Sequence, residues 1–353
     1  MYLKLSEVTA VDIELTNKCN AACPACNRQF YDPKSLNNFE YSLQHIKDIV
    51  PKELLRPDVE FFFGGTVDDA MMNTQIVEIC DYLLSGGSDI VLETNTGANT
   101  AETFTALGEL SNKHDHRLIV RFSVDGTEHS NHLYRVNVKW KTVLRNMTAY
   151  AKTGGKCLWQ YLVFDHNYND IEEAYAISKQ LKIPFELRQG TRDTRPYLSL
   201  ITEKDKETKK VEKKEVVVEH SKKFEHDHIQ ERKKIKEQED YNPRNINCYM
   251  IHKKQIFIDS TGKLWPCCYY ASENVVPGAN QFYKDLEKRY GKDWNNVFKH
   301  SVEEIINHEY YKDVLYKTFV DEKYSYMFNN MCQLECGDGG YRSETKRVKL
   351  EDK

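Results

Sequence analysis

What most constrains this chain is a repeat of pattern rather than of sequence. Between residues 8 and 190, six short runs rich in β-branched and aromatic residues (9–15, 59–63, 90–93, 118–124, 159–164 and 185–188) each end in a polar turn. Between them lie stretches with apolar residues three and four apart, as at 69–84 and 171–181. Strands alternating with helices build a parallel sheet with the helices packed outside. The expected class is therefore α/β. Six units are too few to close an eight-fold barrel, so the expectation is an open, partial (β/α)6 barrel. Ligands of such sheets bind where the strands end, which directs attention to the residues that follow each run.

The first run leads directly into ELTNKCNAACPACNRQ, with Cys19, Cys23 and Cys26 spaced C-x3-C-x2-C. Three thiolates on one loop can grip three irons of a cubane cluster, where a fourth would close it as an electron carrier. The fourth iron then keeps an open position, the logic of an open catalytic zinc. A zinc knuckle with a borrowed fourth ligand is the competing explanation, but a loop that opens a strand–helix series is unlike a small zinc module. The N-terminal MYLKLSEVTAVDIEL alternates like a strand and carries acids early, which is not the make-up of a signal peptide. A cytoplasmic location is expected. The chain's 10 cysteines then point to metal or redox chemistry rather than to disulfides. Cys80 and Cys157 stand alone in apolar stretches and read as small buried hydrophobes.

The spacing after a first strand resembles the radical S-adenosylmethionine (SAM) superfamily, and the likeness runs over about residues 10–190. It implies a [4Fe–4S] cluster whose open iron binds SAM, and an electron that cleaves SAM to methionine and a 5′-deoxyadenosyl radical. It also implies an electron donor such as flavodoxin or ferredoxin. The family's Gly-rich turn after the second strand is matched by FFFGGTVDDA, which assigns Gly64, Gly65, Thr66 and Asp69 to the cofactor's amino group. The match departs from the common form, since the acid comes later and no proline follows. The turn ETNTGA supplies Thr94, Asn95 and Gly97 after the third strand. RFSVDGTEHSNHLYR after the fourth supplies Ser123, Asp125 and Arg135, by resemblance for the ribose and the carboxylate, and a guanidinium suits a carboxylate. In WQYLVFDHNYNDIEEA the resemblance turns Gln160 and Asn167 toward the cofactor; an asparagine capping the next helix explains Asn167 almost as well.

A second cysteine group comprises Cys248, Cys267, Cys268, Cys332 and Cys336. Its apolar segment KQIFIDSTGKLWP reads as a hairpin turning at 260–262, with a cysteine beyond each end. This spacing resembles the SPASM and twitch auxiliary-cluster domains, and the cysteine count fits the shorter twitch form with one further iron–sulfur cluster. The expected ligands are Cys248, Cys267, Cys332 and Cys336, with Cys268 a spare or substitute; structural zinc is the alternative for four thiolates.

The expected organisation is a radical SAM core at 1–200, a charged helical or flexible insert at 201–245, and a small α+β auxiliary-cluster domain at 246–340. A charged, frayed tail at 341–353 completes it. The insert is dense in both charge signs, and His220, His226 and His228 within it read as solvated surface. A net charge of −4 and the lack of a basic stripe argue against nucleic acid, and no apolar run approaches the roughly 20 residues of a membrane span. The expected activity is oxidation of a peptide or small polar substrate. A radical group transfer, or a zinc-stabilised binding module, are the alternatives. Because the cysteine loop begins at residue 19, no leader-peptide recognition domain is expected upstream of it.

Overall fold

The computed structural model describes residues 3–31, 36–189, 197–204, 211–224, 234–240, 242, 245–272, 281–338 and 347–350. The six expected strands all form: β1 (Ala10–Ile13), β2 (Glu60–Phe63), β3 (Asp89–Thr94), β4 (Leu118–Ser123), β5 (Cys157–Leu162) and β6 (Phe185–Arg188). Helices follow them: α1 (Leu43–Ile49) and, after β2, α2 (Ile76–Ser85), then α3 (Ala101–Lys113), α4 (Asn131–Tyr134), α5 (Trp140–Thr153) and α6 (Ile171–Leu181). The helical pattern at 69–84 is interrupted near its start. Asp69 caps a single 3-10 turn, Ala70–Met72, and α2 begins only after it.

The chain divides into two compact units, Met1–Lys18 with Phe30–Val91 and Asp227–Glu344, and Cys19–Gln29 with Leu92–His226 and Thr345–Lys353. β3 runs through the point of division. In the first unit the strand order is β10-β9-β1-β2-β3, where β9 is Gln255–Ile258 and β10 is Leu264–Trp265. β9 pairs with β1 in parallel, Ala10 opposite Gln255, while β10 returns antiparallel as the far arm of the expected hairpin. The hairpin turns at Gly262, whose φ of 84° is left-handed and suits glycine. Asp259 fixes it by accepting from the backbone N–H of Thr261 and Lys263 and from Trp265 Nε1.

In the second unit the order is β3-β4-β5-β6-β11, with β4, β5 and β6 mutually parallel, and β11 (Arg347–Lys349) runs antiparallel to β6. This corrects the frayed tail at that point: an unpaired edge of β6 would leave a row of open backbone groups, and β11 fills it. The side chains of β4 and β5 alternate into the core, where Phe122, Trp159 and Tyr161 are fully buried. α3 and α5 pack closely enough at Gly108 that a methyl there would collide with Thr153.

The charged segment also differs from the expected helix. Tyr197–Lys204 (β7) and Val211–Val218 (β8) pair antiparallel over their whole length, Tyr197 opposite Val218. The physical reason lies in VEKKEVVV, which begins on one valine and ends on three, and in Tyr197, Ile201 and Thr202 of YLSLITEK, residue types that favour strands. His220, beyond β8, is bridged to Phe164 and stacks on its ring at 5.2 Å. His226 and His228 lie outside the described residues.

Candidate cofactor and cluster sites

In the second unit, the loop that carries Cys19, Cys23 and Cys26 is short of regular structure and is held by its neighbours. Ala22 N–H bonds Val136 O at 3.0 Å, and Cys26 N–H bonds Cys23 O at 3.1 Å. Asn95, at the end of β3, donates through Nδ2 to Asn20 Oδ1 at 2.8 Å and to Cys19 Sγ at 3.7 Å. Its own Oδ1 accepts from Gly97 N–H at 2.8 Å. A side chain at Gly97 would meet Val138 Cγ1 at 2.6 Å and Asn20 Nδ2 at 2.9 Å, so the close approach of turn and cysteine loop demands glycine. Buried Asn146 ties the same turn down through Thr96 O and Ala98 O, and Thr94 spends its hydroxyl on Thr96 N–H.

Asp125 and Arg135 meet behind Cys23. Arg135 Nε donates to Asp125 Oδ2 at 2.6 Å, and its Nη1 lies 3.8 Å from Cys23 Sγ. Asp125 is wholly buried, and its second oxygen accepts Leu162 N–H at 2.8 Å. Burial pushes the Cys23 thiol up to about 11, against the opposing pull of the guanidinium. Removing either member of so buried an ion pair typically costs about 3–5 kcal/mol.

Two further expected contacts differ from each other. Gln160 is 3% exposed; its Oε1 accepts from Arg188 Nη1 at 2.9 Å, while its Nε2 has no partner. A buried, unused donor is costly unless a ligand takes it. Ser123 is its register partner on β4. Asn167, in contrast, is fully employed inside the unit. Its Nδ2 donates to Asp125 O and Leu162 O, and its Oδ1 accepts Phe164 N–H, so the expectation that it faces a cofactor gives way to a turn-forming role.

The glycine turn belongs to the first unit. Thr66 donates through both N–H, at 3.0 Å, and Oγ1, at 2.5 Å, to Glu14 Oε1, and Ser260 N–H bonds Glu14 Oε2. Gly64 and Gly65 are half-buried, and a side chain at Gly65 would collide with Asp68 and Glu14. Asp69, the acid singled out from the sequence, spends its carboxylate on Met71 N–H as a helix cap. The acid left over is Asp68, whose two oxygens are buried and have no hydrogen-bond partner. Burial, then the carboxylates of Glu14 and Asp69, hold it well above the usual carboxylate range. Sequence reasoning missed Glu14 and Asp68 because their proximity is set by the fold; the doubled acid after the glycines was the available signal.

The later cysteines lie together in the first unit. Cys248, Cys267, Cys332 and Cys336 line one small cavity, walled largely by apolar groups such as Leu315, Phe319 and Met331. Asn247 N–H bonds Cys336 O at 2.9 Å, and Asn329 caps the helix Asn330–Cys336, which brings the distant pair to the hairpin end. Burial, then the neighbouring thiols Cys268 and Cys332, push Cys267 well above the usual thiol range. Cys268 opens its own short helix and does not line the cavity. Among the described residues no three of these side chains already stand in metal-binding geometry, and four thiols are a donor set that serves an iron–sulfur cluster or a structural zinc.

Comparison with known proteins agrees with this division. Residues 248–337 match the SPASM family, described as an iron–sulfur cluster-binding domain. The fold is similar to that of Streptococcus suis SuiB bound to S-adenosylmethionine, at 15% identity and a TM-score of 0.51 over 90% of this chain and 68% of that one. It is also similar to anSMEcpe with bound AdoMet, at 15% identity and 0.50 over 86% and 81%. The same protein with AdoMet and a Cp18Cys peptide matches at 14% identity and a TM-score of 0.50 over 93% of this chain and 88% of that one. No curated protein sequence is a significant match. The chain thus shares the fold of these SAM-bound proteins, and its residues 248–337 match the SPASM domain. No helix among the described residues is long and apolar enough to cross a membrane.

Proposed function

We propose that this chain is a radical SAM enzyme whose net reaction is the oxidation of a peptide or small polar substrate. The observation that carries the reading is the contrast in donor sets: three thiols on a loop surrounded by polar donors, and four around an apolar cavity. Cys19, Cys23 and Cys26 would hold a [4Fe–4S] cluster with one open iron, and Cys248, Cys267, Cys332 and Cys336 an auxiliary cluster. When bound, the first group supplies the electron that splits SAM into methionine and a 5′-deoxyadenosyl radical.

The chain's own residues do the binding and positioning. Gln160 Nε2 is a donor free for a polar group of the cofactor, with Ser123 beside it on the next strand. Asn95 holds the cysteine loop in place, and Asp125 fixes Arg135. Asp68, in the Gly64–Gly65–Thr66 turn, has the unsatisfied carboxylate suited to an ammonium group. Four thiols leave a four-iron cluster no open position, so the role left to the auxiliary group is to accept an electron, which makes the reaction an oxidation. The peptide held by the similar anSMEcpe supports a peptide as substrate.

Replacing Cys19, Cys23 and Cys26 together with alanine should abolish 5′-deoxyadenosine formation under strong reductant. The protein should stay folded and keep its cavity-bound iron. Undiminished cleavage in that variant would overturn the proposal, and a colourless, zinc-containing wild-type protein would replace it with a binding module.

A further inference from the structure

Arg135 was singled out for a carboxylate of the cofactor, but its guanidinium is already placed on the protein. It follows α4 directly, and its N–H closes that helix on Asn131 O at 2.8 Å. One edge of the fork meets Asp125 and another meets Cys23 Sγ. Asp125 is itself immobilised: Asn131 Oδ1 accepts its N–H at 3.0 Å, and Leu162 N–H bonds its free oxygen. Arg135 also lies over the Tyr134 ring at 5.3 Å, which fixes its plane. Its side chain is only 16% exposed. The cation is therefore preset rather than mobile.

The donors on the cysteine loop are unequal. Cys19 receives neutral N–H groups, from Ala21 N at 3.5 Å and Asn95 Nδ2 at 3.7 Å. Cys23 receives a charged one. Hydrogen bonds and positive charge at a ligating sulfur favour the more negative, reduced state of a cluster, and do so more strongly away from water.

We infer that Arg135 is a positioning residue for the cluster itself, a fixed cation that raises the reduction potential at Cys23, with Asp125 setting how much of its charge is felt. The inference rests on the proposed function, since it needs a cluster at Cys19, Cys23 and Cys26. Reduction here takes one electron from an external low-potential donor, with dithionite or a flavodoxin-class protein supplying it, and no proton need move.

The test is a redox titration of the reconstituted, full-length protein, followed by electron paramagnetic resonance without SAM, so that cofactor binding cannot enter the readout. The first cluster's signal is assigned by its loss in the Cys19/Cys23/Cys26→Ala variant, and the cavity cluster serves as internal reference. Arg135→Gln should lower the potential, cutting the reduced-to-oxidised ratio at a fixed potential about tenfold, or about 59 mV for one electron. Arg135→Lys should recover part of the shift. Asp125→Asn should move it the other way; because each of these two variants breaks the buried pair, Arg135→Lys, which keeps the cation but loses the reach to Cys23, decides the matter by a potential below wild type if neither folds. The reference signal should stay still throughout. Equal potentials in wild type and Asp125→Asn, or in wild type and Arg135→Gln, overturn the inference while leaving the proposed function intact. Absence of any signal lost with the three cysteines overturns the proposed function instead.

Discussion

The two cysteine regions are built on opposite principles. The N-terminal loop has almost no regular structure of its own, and polar side chains from the ends of β3 and β4 and the segment after α4 hold it. The C-terminal group sits on a hairpin end and two short helices, inside walls of Leu315, Phe319 and Met331. Under the proposed function, three thiols among fixed donors and a buried cation would serve a centre that binds a charged small molecule and changes oxidation state. Four thiols in an apolar cavity suit a centre whose coordination is complete. The difference teaches that ligand number and wall chemistry go together: an open position needs polar support around it, and a closed one needs water kept out.

The sharpest way to break the comparison is at the cavity. Replacing Cys267 or Cys332 with serine should remove essentially all iron bound by the C-terminal group while sparing SAM cleavage, read as iron content against 5′-deoxyadenosine yield. Cys268→Ser should change neither, because that thiol does not line the cavity. Retained iron in Cys267→Ser together with loss in Cys268→Ser would exchange their roles.

A smaller effect is expected at the support of the loop. Gly97→Ala places a methyl against Val138 and the Asn20 amide, which must shift by several tenths of an ångström. Overpacking of this kind costs about 1–3 kcal/mol, and here it falls on the contact between Asn95 and the cysteine loop. The expected result is weaker SAM binding by tenfold or more, with the cavity iron unchanged. Wild-type affinity would show that the loop is not held by this turn.

Much of this architecture was legible beforehand because it depends on local pattern. The period of apolar residues located all six strands, and α6 begins and ends where the spacing of IEEAYAISKQL says it should. The hairpin at Gly262 was legible from DSTG between two apolar runs. What was hidden depends on contacts distant in sequence. Nothing local announces that β9 pairs with β1 across more than 240 residues, or that β11 closes the edge of β6. β7 and β8 were obscured by charge density, which outweighed a weak alternation. At the sites, residue types pointed to the right turns but not to the division of labour: Asp69 and Asn167 serve the backbone, whereas Asp68 and Gln160 keep unused polar atoms.

The smallest expected effect separates the two units by pH. In the unit that holds the three-cysteine loop, His166 stacks on Phe164 at 5.4 Å, and neither ring nitrogen has a hydrogen-bond partner. Burial holds it neutral and lowers its pKa from 6.5 to about 4, with Asp170 opposing. A histidine whose folded pKa lies below its unfolded value contributes stability that is complete above about pH 6.5 and is lost as the pH falls toward 4. The loss is at most about 1.4 kcal/mol per pH unit, less for the partial exposure of the ring. In the other unit Asp68 acts with the opposite sign. Its raised pKa means that the folded state takes up a proton more readily than the unfolded one, so acidification lifts a cost there. Hydrogen exchange followed from pH 7 to pH 4.5 should therefore show protection falling around residues 161–170, with no matching fall around residues 61–72. His166→Gln should flatten the first profile, because glutamine does not titrate. A profile equally steep in that variant would trace the acid response to another group, and the two units would then not differ by this residue.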